Sequence, residues 1–346
     1  MAEELARVSP ALPSVTALIA THQRCGPLTA CLHALLSQPG LAQLIVVDDG
    51  SEDGTFEFLV ALSQQDDRVV AERIAHEGKA AALDVGLAHV RSDVVLLIDD
   101  DVVAGPDLVR GHAERHRGRS DLVVVGYMPC VRRAKSAGDP FLTDVYAREY
   151  EAHCSRIEVQ PELVLRNLWG GNVSLRQEHC KAVGFSGWNL VHEDQDFGLR
   201  CLRRGLTGVF DRSLYAEHRH ERDMAAFLRS ARAQGVARPY LHSLHSDLIQ
   251  PLSRTHAFEG LGPLSSVLVR GLGRQSLYRP AEWLLIQAAR AATGTGFDAL
   301  AGNIKRLARR IALQSGVSLA RAVSARAGPE YRLDELERMA KQRTGQ

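Results

Sequence analysis

The stretch Val94-Val95-Leu96-Leu97-Ile98-Asp99-Asp100-Asp101 decides the fold, because five aliphatic residues in a row stop at three consecutive carboxylates. An apolar run this short, β-branched at Val94, Val95 and Ile98, reads as a strand buried on both faces, and such strands belong to parallel sheets covered by helices. The carboxylates then stand at the C-terminal edge of the strand, where open α/β sheets bind ligands. Adjacent carboxylates repel one another unless a cation or solvent screens them. Their hard oxygens suit Mg²⁺ or Mn²⁺, ions that keep part of their coordination shell for substrate oxygens. Taken alone, the same residues also fit a solvated acidic turn.

Working upstream, three β-then-α units lead into this strand. Val15 to Ala20 is an apolar run followed by the polar loop Thr21 to Pro27, and Leu28, Cys31, Leu32, Leu35 and Leu36 then recur at helical spacing up to Pro39-Gly40. Leu44 to Val47 runs into Asp48-Asp49-Gly50-Ser51 and a helix carrying Phe56, Leu59, Val60 and Leu62. Arg68 to Glu72 reads as a short third strand, followed by Gly78-Lys79 and an alanine-rich helix to His89. Strands alternating with helices predict a doubly wound, mostly parallel α/β sheet.

Downstream, Pro106 fits the first turn of a helix to about His116, and Leu122 to Tyr127 is a further strand. Residues 129–166 read as irregular, fitting either a substrate-facing segment or a solvated excursion. Leu168 to Leu175 is extended, and Gly170-Gly171 lets the backbone approach a ligand or another strand. His192-Glu193-Asp194-Gln195-Asp196 opens a helix, a place where the helix dipole favours carboxylates in any case. Val209 to Tyr215 is a strand ending in Glu217-His218-Arg219-His220, whose two histidines point the same way if the segment is extended. The last hundred residues are mainly helical. There Ile304, Leu307, Ala308 and Ile311 form an apolar face opposite Lys305, Arg306, Arg309 and Arg310, which fits a packed helix with a solvated side or one lying on an anionic membrane.

Composition narrows the class. A chain of 346 residues with 45% hydrophobic content has enough apolar material for one large core or two smaller ones. The six cysteines form no C-x-x-C pair, so neither a zinc cluster nor a disulfide framework is expected. From Pro251 onward 15 Lys or Arg stand against 7 Asp or Glu, a surplus of 8 that leaves the first 250 residues at −7. An acidic catalytic part suits a metal site and argues against a nucleic-acid partner. The first ten residues lack an apolar signal region and no run of about 18 apolar residues occurs, so a cytoplasmic protein is expected.

Four features line up in order: Thr21-His22-Gln23-Arg24, Val47-Asp48-Asp49-Gly50-Ser51, Asp99-Asp100-Asp101 and Glu193-Asp194. Together they resemble glycosyltransferase family 2, with the GT-A (Rossmann-like) fold, over about Val15 to Gly235; residues 1–14 are then an N-terminal extension, 15–240 the transferase domain and 241–346 a helical C-terminal extension. The resemblance implies a metal-dependent inverting glycosyltransferase that moves a sugar from a UDP-, GDP- or dTDP-sugar to an acceptor hydroxyl on a glycan, lipid-linked, peptide or small-molecule partner. It assigns Thr21, His22 and Arg24 to nucleotide-sugar binding, with Asp49 accepting the base N–H. Asp99 falls near the ribose, Asp100 lies between, and Asp101 holds Mn²⁺ or Mg²⁺ with His218 or His220. Gly170, Gly171 and Asn172 border the sugar pocket, Trp188 and Glu193 count among the nucleotide-sugar-binding residues, and Asp194 is the catalytic base, whose pKa partial burial, for example against Trp188, would raise. His22 replaces the usual aromatic residue, and Leu83 stands where relatives carry arginine, which shifts the phosphate contact to Lys79 or Arg73. The basic C-terminal helices imply weak, peripheral attachment to the inner face of a membrane. Two rival readings are a nucleotidyltransferase acting on sugar phosphates, which lacks its Gly-rich Arg/Lys loop at Thr21 to Pro27, and a non-catalytic nucleotide-sugar-binding protein, against which intact Asp99, Asp101 and Asp194 stand.

Overall fold

The computed structural model describes residues 11–131, 138–185, 191–249 and 261–327. Among these, 11–131, 149–185 and 197–220 form one compact unit, and 138–148, 191–196, 221–249 and 261–327 form a second.

The first unit is an eight-stranded sheet with helices. In chain order its first half comprises β1 (Val15–Thr21), α1 (Cys25–Leu36), β2 (Leu41–Asp49), α2 (Thr55–Ser63), β3 (Val69–Ile74), α3 (Lys79–Ala88) and β4 (Val94–Ile98). There follow β5 (Val102–Ala104), α4 (Leu108–Arg115), β6 (Leu122–Tyr127), α5 (Pro140–Val159), β7 (Asn172–Arg176), α6 (Gln177–Val183), α7 (Glu193–Arg203) and β8 (Thr207–His218). The strand order is β3-β2-β1-β4-β7-β6-β8-β5. Strands β1 to β4 pair in parallel, and β6 pairs in parallel with β8. β7 runs antiparallel between β4 and β6, and β5 runs antiparallel to β8. The sheet is therefore mixed and mostly parallel. Its interior holds Leu18, Ile45, Val47, Val95, Val123, Val173 and Leu175 under Leu83, Phe185 and Phe197, each large side chain contributing roughly 1.5–3 kcal/mol by leaving water.

Two elements depart from the sequence reading. Residues 129–166 are not irregular throughout, for they contain the 20-residue helix α5. Its buried residues Leu142, Tyr150, Cys154 and Ile157 form a stripe one side chain wide in an otherwise polar segment, too narrow to stand out as a periodic pattern. Arg212 on β8 holds the helix by pairing with Glu151 at 2.7 Å and Glu158 at 2.5 Å. The second departure is β5, a three-residue strand directly after the carboxylates where the sequence indicated only a turn into a helix.

The second unit is built on α8 (Met224–Leu244), α9 (Pro263–Leu272), α10 (Gln275–Gly294) and α11 (Asp298–Ala327). Leu228, Ala231, Val269, Tyr278, Ala308, Ile311 and Ala312 make its core. The backbones of α8 and α11 meet at Gly235 and Gly316, where a Cβ on either would collide with the other helix's main chain. Lys305, expected on a solvated basic face, is instead buried, with Nζ 2.6 Å from Asp139 Oδ2 and near the Phe141 ring. Arg309 lies over Phe227. The basic side of α11 is thus partly used inside its own unit.

A buried polar chain ties α4 to β7. His116 Nε2–H donates to Ser174 Oγ at 2.8 Å, Ser174 O–H donates to His112 Nδ1 at 2.7 Å, and His112 Nε2–H donates to Asn172 Oδ1 at 2.9 Å. The Asn172 amide then donates to the Leu214 carbonyl at 3.0 Å. With both imidazoles neutral, every bond of the chain has one donor and one acceptor, and His116 Nδ1 is left without a partner. Burial pushes both histidines down to about 4 from an ordinary 6.5. A folded-state pKa below the unfolded one stabilises fully above pH 6.5 and is lost as pH falls toward 4, by on the order of 3 kcal/mol per ring at most. Urea unfolding between pH 7 and 4 should show stability declining across this window. His116→Gln, which removes one of the two titrating rings, should make the decline visibly shallower; an unchanged slope would show that the acid lability lies elsewhere.

Candidate active site

Topology opens the site. From β1 the chain moves outward to β2 and β3 and then returns to β4 on the other side of β1, and at such a reversal the C-terminal strand ends leave a crevice. Thr21 ends β1 and Asp99 follows β4, so both flank this crevice. Thr21 Oγ1 donates to Asp100 Oδ2 at 2.8 Å across it.

The three carboxylates meet different sets of partners. Asp99 Oδ1 lies 2.9 Å from Lys79 Nζ, at the start of α3. Asp100 and Asp101 share Arg24, whose guanidinium is 3.3 Å from Asp100 Oδ1 and 2.6 Å from Asp101 Oδ2. β5 pairs with β8 in the register Val102↔His218, and Arg219 N–H donates to the Asp101 carbonyl at 2.8 Å. That register brings His218 Nε2 to 3.3 Å from Asp101 Oδ1. His220 stands beside it, ring centroids 5.0 Å apart and planes inclined by 56°. Asp101, His218 and His220 thereby present ligand atoms within 4.8 Å of one another.

The two buried carboxyls are driven apart electrostatically. Burial pushes Asp100 up to about 6, opposed by Arg24 and reinforced by the charge of Asp101. Burial also pushes Asp101 upward, but its hydrogen bond to His218 and the charges of His218 and Arg24 outweigh this and hold it well below the usual carboxylate range. Of the two buried carboxyls, Asp101 is the one held more firmly ionised, and it faces two imidazoles.

The other end of the crevice is formed by the turns after β1, β2 and β3. Asp49 is buried, with Oδ1 accepting from Glu77 N–H at 2.8 Å and Oδ2 accepting from Gly78 N–H at 3.0 Å and His76 Nδ1–H at 2.9 Å. His22 Nδ1–H donates to the Asp49 carbonyl at 2.7 Å, and the His22 ring stacks on His76 at 4.1 Å with planes 20° apart. Arg73 pairs with the buried Asp48 at 3.4 Å and donates to the Ser51 carbonyl at 2.6 Å. The sequence reading did not single out His76. Its signal was its place two residues before Gly78-Lys79, in a turn that faces the Asp49 loop.

Around the triplet, Gly170-Gly171 leads into β7, and Asp99 N–H donates to the Gly171 carbonyl at 3.3 Å. Asn172 is committed to the interior through His112 and Leu214. Glu193 and Asp194 head α7 and belong to the second unit, where both are half-buried. Asp196, two residues on, is buried against His245 Nε2 at 2.8 Å. Trp188 lies outside the described residues.

The mixed, mostly parallel sheet with an acidic crevice at its reversal is the GT-A architecture. Residues 16–183 match the family described as Glycosyl transferase family 2, so that this part of the chain is a domain of that family. It is 36% identical over 85 residues to an uncharacterized glycosyltransferase, YfnE, of Bacillus subtilis (strain 168), a match covering 24% of this chain and 21% of that protein. It is 25% identical over 137 residues to a poly-β-1,6-N-acetyl-D-glucosamine synthase of Staphylococcus aureus (strain MSSA476), covering 39% of this chain and 33% of that protein. The matches thus span a third or less of these curated relatives. Among solved structures, the mannosyltransferase PcManGT from Pyrobaculum calidifontis, in complex with GDP-Man and Mn²⁺, superposes with a TM-score of 0.51 at 18% identity, over 88% of this chain and 91% of that one. That likeness is one of fold.

Gly171 gives the site a direct structural test. Its φ is +102°, and a Cβ there would lie 2.7 Å from Asp99 Oδ2 and 3.0 Å from Met128 Sδ. Gly171→Ala should cost roughly 1–3 kcal/mol in chemical denaturation through backbone strain and displacement of the Asp99 carboxylate. A loss under about 0.5 kcal/mol would mean that the turn relaxes freely.

Proposed function

We propose that the protein is a glycosyltransferase that moves a sugar from a nucleoside-diphosphate donor to an acceptor hydroxyl with inversion of configuration. The observation that carries the reading is the convergence of Asp101, His218 and His220 beside Asp99 and Asp100 at the sheet edge of a family 2 domain. The donor set fits a divalent ion, because two inclined imidazoles face a carboxylate held ionised. One carboxylate with two ring nitrogens favours Mn²⁺ over Mg²⁺, which binds few nitrogens. Such an ion, when bound, neutralises charge on the departing diphosphate.

The remaining roles fall to the chain's own groups. Arg24 and Lys79 are the cations nearest the triplet and suit the diphosphate oxygens. Thr21, His22 and Asp49 form the base end of the crevice, with Asp99 toward the ribose. Asp194 takes the proton of the attacking hydroxyl, with Glu193 beside it. It is preferred to Asp196, whose carboxylate is already held by His245. Attack opposite the leaving diphosphate inverts the anomeric centre.

The same reading puts the enzyme at the cytoplasmic surface of a membrane. Among the described residues no helix is long and apolar enough to cross one. α9 and α10 leave several apolar residues in water: Leu264 is 80% exposed, Val267 67%, Trp283 62% and Leu284 59%. Over 261–327, 10 Lys or Arg stand against 2 Asp or Glu. Apolar side chains with a tryptophan amid excess positive charge suit the headgroup layer of an anionic bilayer, and the charge disfavours pairing with a second copy.

Two experiments test these assignments. Asp194→Asn should bind nucleotide and Mn²⁺ as the wild type does while transfer falls about 10²- to 10⁴-fold, whereas Asp101→Ala should weaken Mn²⁺ binding by about a hundredfold or more in calorimetry. Near-normal transfer by Asp194→Asn, or a product with retained configuration by NMR, would remove the mechanism. In the second, co-sedimentation with phosphatidylglycerol vesicles should be abolished by Leu264→Glu, Val267→Glu and Leu284→Glu together; undiminished binding, or a wild type that stays in the supernatant, would remove the membrane assignment.

A further inference from the structure

The stacked pair His22–His76 on Asp49 deepens the nucleotide-sugar reading and rests on it. With Asp101 and its two histidines, His22, Asp49 and His76 are one of two groups among the described residues whose ligand atoms lie within 4.8 Å of one another, which raises the question of a second metal centre. The ring planes answer it. A metal lies in the plane of every imidazole that binds it, so two rings stacked face to face cannot both hold one ion, whereas rings whose planes meet close by, as those of His218 and His220 do at 56°, can. His22 and His76 are stacked at 4.1 Å with planes 20° apart, and planes so nearly parallel do not converge on one ion. The arrangement is that of a flat ring lying on another flat ring.

Hydrogen bonding narrows the role further. Both Asp49 oxygens are already occupied, Oδ1 by Glu77 N–H and Oδ2 by Gly78 N–H and His76 Nδ1–H. The two backbone donors belong to the turn that opens α3, with Gly78 at φ +100°, and they stay if α3 stays. His76 is the only one of these donors on a side chain, and that side chain is 56% exposed. A planar ligand bringing an in-plane N–H to Asp49 Oδ2 and a face to His22 therefore has to enter the position His76 holds.

We propose that the His76 imidazole stands in for the nucleobase in the unliganded protein, stacked on His22 and hydrogen-bonded to Asp49, and that donor binding requires it to swing out. His76 is then an internal competitor that sets nucleotide affinity and favours bases offering both a ring N–H and a stackable face. Releasing it gives up one partly exposed hydrogen bond to a carboxylate and one stacking contact, interactions that are each modest at a solvent-facing position.

The test uses the full chain, Mn²⁺, and UDP, GDP and dTDP as probes in calorimetry. His76→Ala should bind the preferred nucleotide about three- to thirtyfold more tightly than wild type. His76→Phe, which keeps a ring on His22 but has no N–H for Asp49, should fall between them. Weaker or unchanged binding by His76→Ala would overturn the proposal, since His76 would then be a platform for the base or a bystander. In ¹⁵N-histidine NMR the hydrogen-bonded Nδ1–H signal of His76 should disappear at nucleotide saturation, and its persistence in the saturated complex would also overturn the proposal. If none of the three nucleotides binds either wild type or His76→Ala, the nucleotide reading itself fails and takes the proposal with it. Binding that is present but moves the wrong way rejects the proposal alone.

Discussion

Everything at the sheet edge depends on keeping Asp99, Asp100 and Asp101 together. Three successive carboxylates at the end of a buried strand would drive the chain apart, since unit charges about 4 Å apart repel by several kcal/mol where water is scarce. The fold separates their environments. Lys79 from the start of α3 meets Asp99, Thr21 from the end of β1 meets Asp100, and His218 from β8 meets Asp101, while Arg24 spans the last two. The partners come from three places in the chain, the end of β1, α3 and β8, so the triplet after β4 acts as a junction that can form only once these elements are assembled. Asp100 takes up the remaining strain by being drawn toward its neutral form, while Asp101 is held below the usual carboxylate range.

The two histidine pairs at this edge show how one residue type serves two chemistries. His218 and His220 sit at alternate positions at the end of β8, where the chain leaves the sheet, and their rings incline toward a shared point near Asp101. His22 and His76 come from turns after different strands, and their ring nitrogens are tied to the same aspartate, which forces the rings flat against each other. The first pair gathers lone pairs on one spot; the second presents a face and an edge. Together they divide the crevice into a charged end and a planar end, which in the proposed function receive the diphosphate and the base of the donor.

The features visible in the sequence were those whose signals are local and dense. The run Val94 to Ile98, the strands around Val15 and Leu44 and the motif residues at their ends declare themselves through unbroken apolar stretches that stop in polar residues. α5 did not, because its buried stripe is one residue wide and its anchorage comes from Arg212 on a distant strand. β5 did not, because three residues carry no periodicity and exist as a strand only through pairing with β8. Lys305 was placed on a solvated face because its burial depends on Asp139, far away in the chain. His76 escaped notice for the same reason: its stacking partner His22 lies two strands earlier. Pairings across the fold, more than the elements themselves, were what the sequence left unread.

Asn172 illustrates how the hidden part supports the visible one. It follows the Gly170-Gly171 turn and reads as a residue at the edge of a sugar pocket, yet its side chain points inward and closes the chain from His116 through Ser174 and His112 to the Leu214 carbonyl. That chain fixes β7 against α4 and β8, and so fixes the turn whose Gly171 carbonyl accepts the Asp99 N–H. A buried network of this kind tolerates little displacement, because a slip would leave further polar atoms unpaired away from water beside His116 Nδ1. The glycines let the backbone come close to Asp99, and the asparagine behind them keeps it there. The geometry of the acidic edge is therefore set from beneath as well as by the cations that face it.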